Sequence, residues 1–200
     1  MTIANAVQKA EMLIRWLDER IDGLALKSDD RSRVAAGCLD VALEHQKTIV
    51  LLIHHKLYGS AFSLVRLAFE SYIRGVWLLH CASDTQLKQI KHDKLKKSLE
   101  ELLKEVEKVD GYNEGVLSAV KQRSWKSMNS YTHTGFLQIV RRSKESTIEP
   151  NYGNDEIMEV LNFAIIVGFL AALAEALMAG SLPLANDILS KAQRAFNAEP

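Results

Sequence analysis

The stretch from Ser60 to Cys81, SAFSLVRLAFESYIRGVWLLHC, is apolar on nearly every side, and a chain that carries it has to build a core around it. Read as a helix, it sets Arg66, Glu70 and Arg74 in one row at four-residue steps, with His80 near its end. A charged row on an otherwise buried helix is the least ordinary feature of the sequence. The rest of the chain agrees with the helical reading. Only three prolines and ten glycines interrupt 200 residues, and Ala, Leu, Lys and Glu are abundant. No run of alternating β-branched residues predicts a strand.

Taken in order, the pattern predicts an all-α, single-domain bundle of about six to eight helices over residues 1–200. An amphipathic helix over 3–22 carries Val7, Ala10, Leu13 and Leu17 at helical spacing. Helices near 31–57, 60–81 and 155–179 are expected to form the core. The first two are separated only by Tyr58-Gly59-Ser60, so they should pack antiparallel. The apolar run Phe163–Ala174 is broken by Glu159 and Asn162 on one side and Glu175 on the other. A membrane span needs about 20 residues, so this run reads as the central helix of a bundle.

Leu95, Leu99, Leu102, Val106 and Val109 form a heptad seam over 94–109, within a more exposed excursion covering 85–112. That helix either lies half-exposed on the bundle or projects as a dimerising arm. A helix over 114–127 should follow, then the polar segment WKSMNSYTHTG. A helix from Phe136 to Arg142, a loop over 143–154 and a closing helix over 184–197 complete the chain.

Charge excludes some partners. With 25 basic and 25 acidic residues the formal net charge is zero, so no global field draws the chain to DNA or to a membrane surface. Lys88, Lys91, Lys94, Lys96 and Lys97 are followed by Glu100, Glu101, Glu105 and Glu107, which reads as a solvated face. Arg141, Arg142 and Lys144 suit a helix C-terminus. Cys38 and Cys81 fall in helical patterns, as small apolar residues do in a reducing compartment. Charged residues interrupt the N-terminus before an apolar run develops, so a cytoplasmic location is expected.

Motifs exclude others. There is no phosphate loop, no dinucleotide-binding Gly-x-Gly-x-x-Gly, no Cys-x-x-Cys and no Gly-x-Ser-x-Gly. The positions three before each histidine are Ala42, Leu51, Leu52, Trp77, Gln89 and Ser130, so the Glu-x-x-His motif of di-metal bundles is missing. His54-His55 are neighbours that point about 100° apart on a helix. No metal or cofactor is expected.

Two groups of residues can carry chemistry. Arg66 and Glu70, with His133 from the polar segment, form a candidate constellation. Arg suits phosphate contacts, and a histidine can act as acid or base. They form a site only if they meet in space; otherwise Arg66–Glu70–Arg74 is an ion-pair ladder. Trp77, Trp125 and Tyr131 are candidate walls of a small-ligand pocket inside the bundle.

The segments GSAFSLVRLAFESYIRGVWLL and KSMNSYTHTG together resemble bacterial all-helical families known as domains of unknown function. The resemblance spans roughly 35–175 and implies a helical bundle in which Arg66, Glu70 and His133 match recurrent polar positions. More loosely, Arg74-Gly-Val-Trp-Leu-Leu-His80 is similar to the Arg-x(4–6)-His spacing of HEPN-type bundles. Many of those are metal-independent ribonucleases acting at a dimer interface. Here apolar residues follow the arginine where active toxins carry a polar one.

The expected function is that of a non-enzymatic binding or interaction protein, homodimeric, with a protein or RNA partner. Its stress or phage-defence setting is implied by the resemblance alone. Two alternatives stand beside it: a ribonuclease using Arg74 and His80 or the Arg66–Glu70–His133 group, and a small-ligand-binding bundle.

Overall fold

Four of the helices start where an N-cap side chain can accept from a free backbone N–H of the first turn. In the computed structural model, which describes residues 2–197, Thr2 caps α1 (Ile3–Ile21) and Asp29 caps α2 (Asp30–His54) through their side-chain oxygens. Helix α3 (Tyr58–His80) follows directly. Reciprocal capping boxes open α4 (Asp84–Ile90, Ser83 with Gln86) and α5 (Leu99–Val106, Ser98 with Glu101). Next come α6 (Val116–Thr132), α7 (Phe136–Val140), α8 (Asn154–Met178) and α9 (Leu182–Asn197). The all-α class holds. The described residues form nine helices, more than the six to eight expected, and an isolated bridge between Lys144 and Thr147 is their only β-type pairing.

Helices α2, α3 and α8 form the centre, each packed on the other two. Helices α1 and α9 cover α8, while α5 and α6 cover α3. Most of the largest fully buried side chains, among them Trp77, Tyr72, Leu39, Leu43, Ile49 and Ile73, belong to α2 and α3. Burial of such side chains stabilises by about 1.5–3 kcal/mol each. Two glycines permit the close approaches. A Cβ on Gly75 would sit 2.8 Å from Leu39 Cγ and 3.2 Å from the Ala35 carbonyl oxygen, so α2 and α3 meet at a bare backbone. Gly168 on α8 leaves room for Gln46 of α2; an added Cβ there would overlap the glutamine amide.

The C-terminus of α3 is closed from outside the helix. Arg31 of α2 donates to the carbonyls of Leu78 (2.8 Å) and Ala82 (2.5 Å), and its other nitrogen pairs with Asp84 at 2.8 Å. A cation at a helix C-terminus also complements the helix dipole.

The expected helix over 94–109 is shorter. It begins at the Ser98 cap, and its seam faces inward: Leu102 and Val106 are buried, together with Leu103 beside them, where α5 packs against α3, while Leu95, Leu99 and Val109 are half-buried. The middle of the seam is taken up within the chain, so the helix lies on the bundle. Helix α6 runs further than expected, to Thr132, through most of the polar segment. By length and composition α8 is apolar enough to cross a membrane. However, 56% of its most apolar window is buried inside the bundle, as in a core helix of a soluble protein.

Candidate functional site

Helices α3 and α6 lie side by side, locked together one turn before Arg66. Thr132 Oγ1 donates to the Ser63 carbonyl (3.1 Å), and Ser63 Oγ lies 2.8 Å from the Tyr131 carbonyl. Gln138 Nε2 reaches back from α7 to Ser63 Oγ at 3.1 Å. After Thr132 the chain turns sharply; Thr134 takes a left-handed φ of 52°. His133 is thereby left as the C-cap of α6, on the α3 side.

The helical period then sets two rows against each other. On α3 it places Arg66 and Glu70; on α6 it places Lys121, Trp125, Asn129 and His133, every fourth residue. Arg66 joins the rows. Its Nε donates to Glu70 Oε1 at 2.6 Å, and its Nη1 donates to Asn129 Oδ1 at 2.7 Å and to His133 Nε2 at 2.7 Å. Its guanidinium carbon lies 4.6 Å from the Trp125 ring centroid. Lys121 Nζ is 5.7 Å from the same ring and pairs with Glu100 of α5 at 3.2 Å.

The protonation pattern follows from the donors. A guanidinium has no acceptor, so His133 Nε2 must accept, and the imidazole is neutral with its proton on Nδ1. Arg66 Nη2 has no partner among the described residues and is reached by solvent. The side chains of Arg66 and Glu70 are 20% and 25% exposed, and His133 is exposed. The cluster is therefore half-open: a cation held in a fixed orientation, with one donor pair facing out.

Of the residues singled out in the sequence, Arg66, Glu70 and His133 converge, although Arg66 and His133 are 67 positions apart. Glu70 pairs with Arg66, and no ladder extends through Arg74. Arg74 and His80 are not brought together. Six residues along a helix turn the side chains about 120° apart. Arg74 acts on the Cys38 thiol of α2, whereas the His80 ring faces Tyr112 at 6.0 Å. Burial holds the His80 imidazole below its usual value and pushes both cysteine thiols up.

The three aromatic candidates do not surround one cavity. Trp77 is fully buried; its Nε1 donates to Glu105 Oε2 at 2.6 Å, and Lys97 lies over its ring. Trp125 stacks on Arg66. Only Tyr131 lines the groove of about 800 Å³ between α6 and α8, whose floor is Phe62 and Val65 of α3. Asn129 and Lys121 are the site residues that sequence reasoning missed. The four-residue row on α6 was the available signal. Among the described residues, no group of three or more His, Cys, Asp or Glu side chains is placed to hold a metal ion.

No curated protein and no solved structure is similar enough to the chain to count as a match. Residues 39–199, which contain both rows of the cluster, match a family of unknown function (DUF6988), and the chain belongs to that family.

Proposed function

We propose that the protein is a non-enzymatic binding protein whose recognition element is Arg66, set by Glu70, Trp125, Asn129 and His133. Its ligand presents a phosphate or carboxylate group. The observation that carries this reading is the solvent-facing Nη2 of a guanidinium whose other donors are all engaged. An arginine so held loses little freedom on binding, which is how preorganisation raises affinity. Its planar fork matches the oxygens of either anion. The cytoplasmic location and the bacterial stress or phage-defence setting belong to the same proposal.

Calorimetric titration with phosphate monoesters and with small carboxylates tests it. Saturable binding to the wild type, weakened at least about tenfold in Arg66→Gln and in His133→Ala, is expected. Equal binding by wild type and both variants, or none by any of them, contradicts it.

A second reading is favoured by the 2.7 Å contact between Arg66 and the neutral His133 imidazole. A neutral histidine beside an arginine is the pair that metal-free cleavage of RNA uses, as base and as phosphate-stabilising cation. That reading predicts cleavage of a mixed RNA pool in the presence of a chelator, lost in His133→Ala. An intact RNA pool with the wild-type protein rejects it.

A further inference from the structure

We infer that a second copy of this chain docks through α7, each copy inserting its exposed α7 into the groove between α6 and α8 of the other. Helix α7 buries none of its residues: Phe136 is 75% and Ile139 is 55% exposed, and Ile148 on the following loop is 90% exposed. Phe136, Ile139 and Ile148 thus expose large apolar side chains on one short stretch of chain, and exposed apolar surface gathered in one place marks an interaction site. The same chain carries a receptor for them. Helices α6 and α8 both lean on α3 but scarcely touch each other. The groove between them holds about 800 Å³, is floored by Phe62 and Val65, and has half-exposed walls at Val116 and Ile166.

Position and charge select a second copy as the occupant. One end of the groove is formed by Tyr131 and Glu156, and Glu156 is ion-paired to Arg141, the residue that follows α7. Protrusion and groove are therefore adjacent on one molecule. A twofold axis between them makes the contact self-complementary and closed, with two identical insertions. The groove rim carries Glu114 and Glu159 against Arg123, which has no ion-pair partner among the described residues. Immediately after α7 come Arg142 and Lys144, ahead of Glu145 and Glu149 on the loop. None of Arg142, Lys144, Glu114 and Glu159 has an ion-pair partner within the chain among the described residues. The surface uses the Val120–Ser124–Tyr131 edge of α6 and leaves the Lys121–Trp125–Asn129 row free, so it stands independently of the anion-binding reading.

Sedimentation of the full chain tests the inference with two variants at exposed positions, Ile139→Glu on α7 and Ile166→Glu in the groove. The wild type is expected to be a dimer, and each variant alone a monomer, with self-association weakened by about a hundredfold or more. Mixing the two variants restores a dimer, because one intact α7 still meets one intact groove. A monomeric wild type, variants that remain dimeric, or a mixture that stays monomeric would each overturn it.

Discussion

Arg66 concentrates the unusual chemistry of this protein in one side chain. Its partners come from two helices, and removing Glu70 leaves the others engaged with a charge that has lost its counterion. Glu70→Gln keeps the shape and a hydrogen-bond acceptor while deleting the charge. The pair is only part-buried, so the expected loss is about 1–2 kcal/mol in urea unfolding, below the cost of breaking a fully buried pair. An unchanged midpoint would show that Glu70 does not hold Arg66. The Arg66–Glu70 half of the cluster was legible because i and i+4 on one helix are neighbours in any helical fold. That His133 closes it depends on α6 docking against α3, which no local pattern states. Asn129 was passed over because a lone asparagine in a polar segment carries no signal. Only with Lys121, Trp125 and His133 does it complete a row.

At the scale of elements, the helices with strong three- and four-residue periodicity were readable, and their ends fall within a few positions of the caps. Helix α5 was not. Its heptad seam continues over 94–109 in sequence, but the Ser98–Glu101 capping box starts the helix late, and α3 takes the seam as its packing surface. Leu102 is 1% exposed. Leu102→Glu therefore buries a charge in the core and should lower stability by about 3 kcal/mol or more in denaturant titration. A soluble, equally stable variant with altered self-association would instead restore the projecting-arm reading. The α2–α8 contact offers a second test. Both amide atoms of Gln46 are buried without a hydrogen-bond partner among the described residues, and Gly168 supplies the space they occupy. Gly168→Ala should destabilise the wild type but not the Gln46→Ala background, a coupling of about 1–2 kcal/mol in a double-mutant cycle. Additive effects would contradict that packing.

At the scale of the whole molecule, the largest pH signature between pH 4 and 8 lies away from the cluster, beside the smaller downward shifts of His45 and His80. In the crevice between α1, α2 and α8, burial and the nearby Asp40 carboxylate push Glu175 from 4.5 up to about 7, with Lys47 opposing. Asp18 engages Lys47 at 2.7 Å, which weakens that opposition. Because the folded state keeps a proton that the unfolded chain has released, this group's contribution is complete below pH 4.5 and is lost as pH rises through 7. The loss is on the order of 2 kcal/mol. Glu175→Gln should abolish that slope in urea unfolding followed from pH 4 to 8; an unaltered slope would assign it elsewhere. For the cluster itself, the most direct measurement is nitrogen NMR of the Arg66 and His133 side chains during titration with inorganic phosphate. We expect a His133 ring protonated at Nδ1 and accepting at Nε2, and saturable shifts at both residues that vanish in Arg66→Gln. A His133 ring protonated at Nε2, or resonances that phosphate leaves unmoved, would contradict a preset arginine facing its ligand.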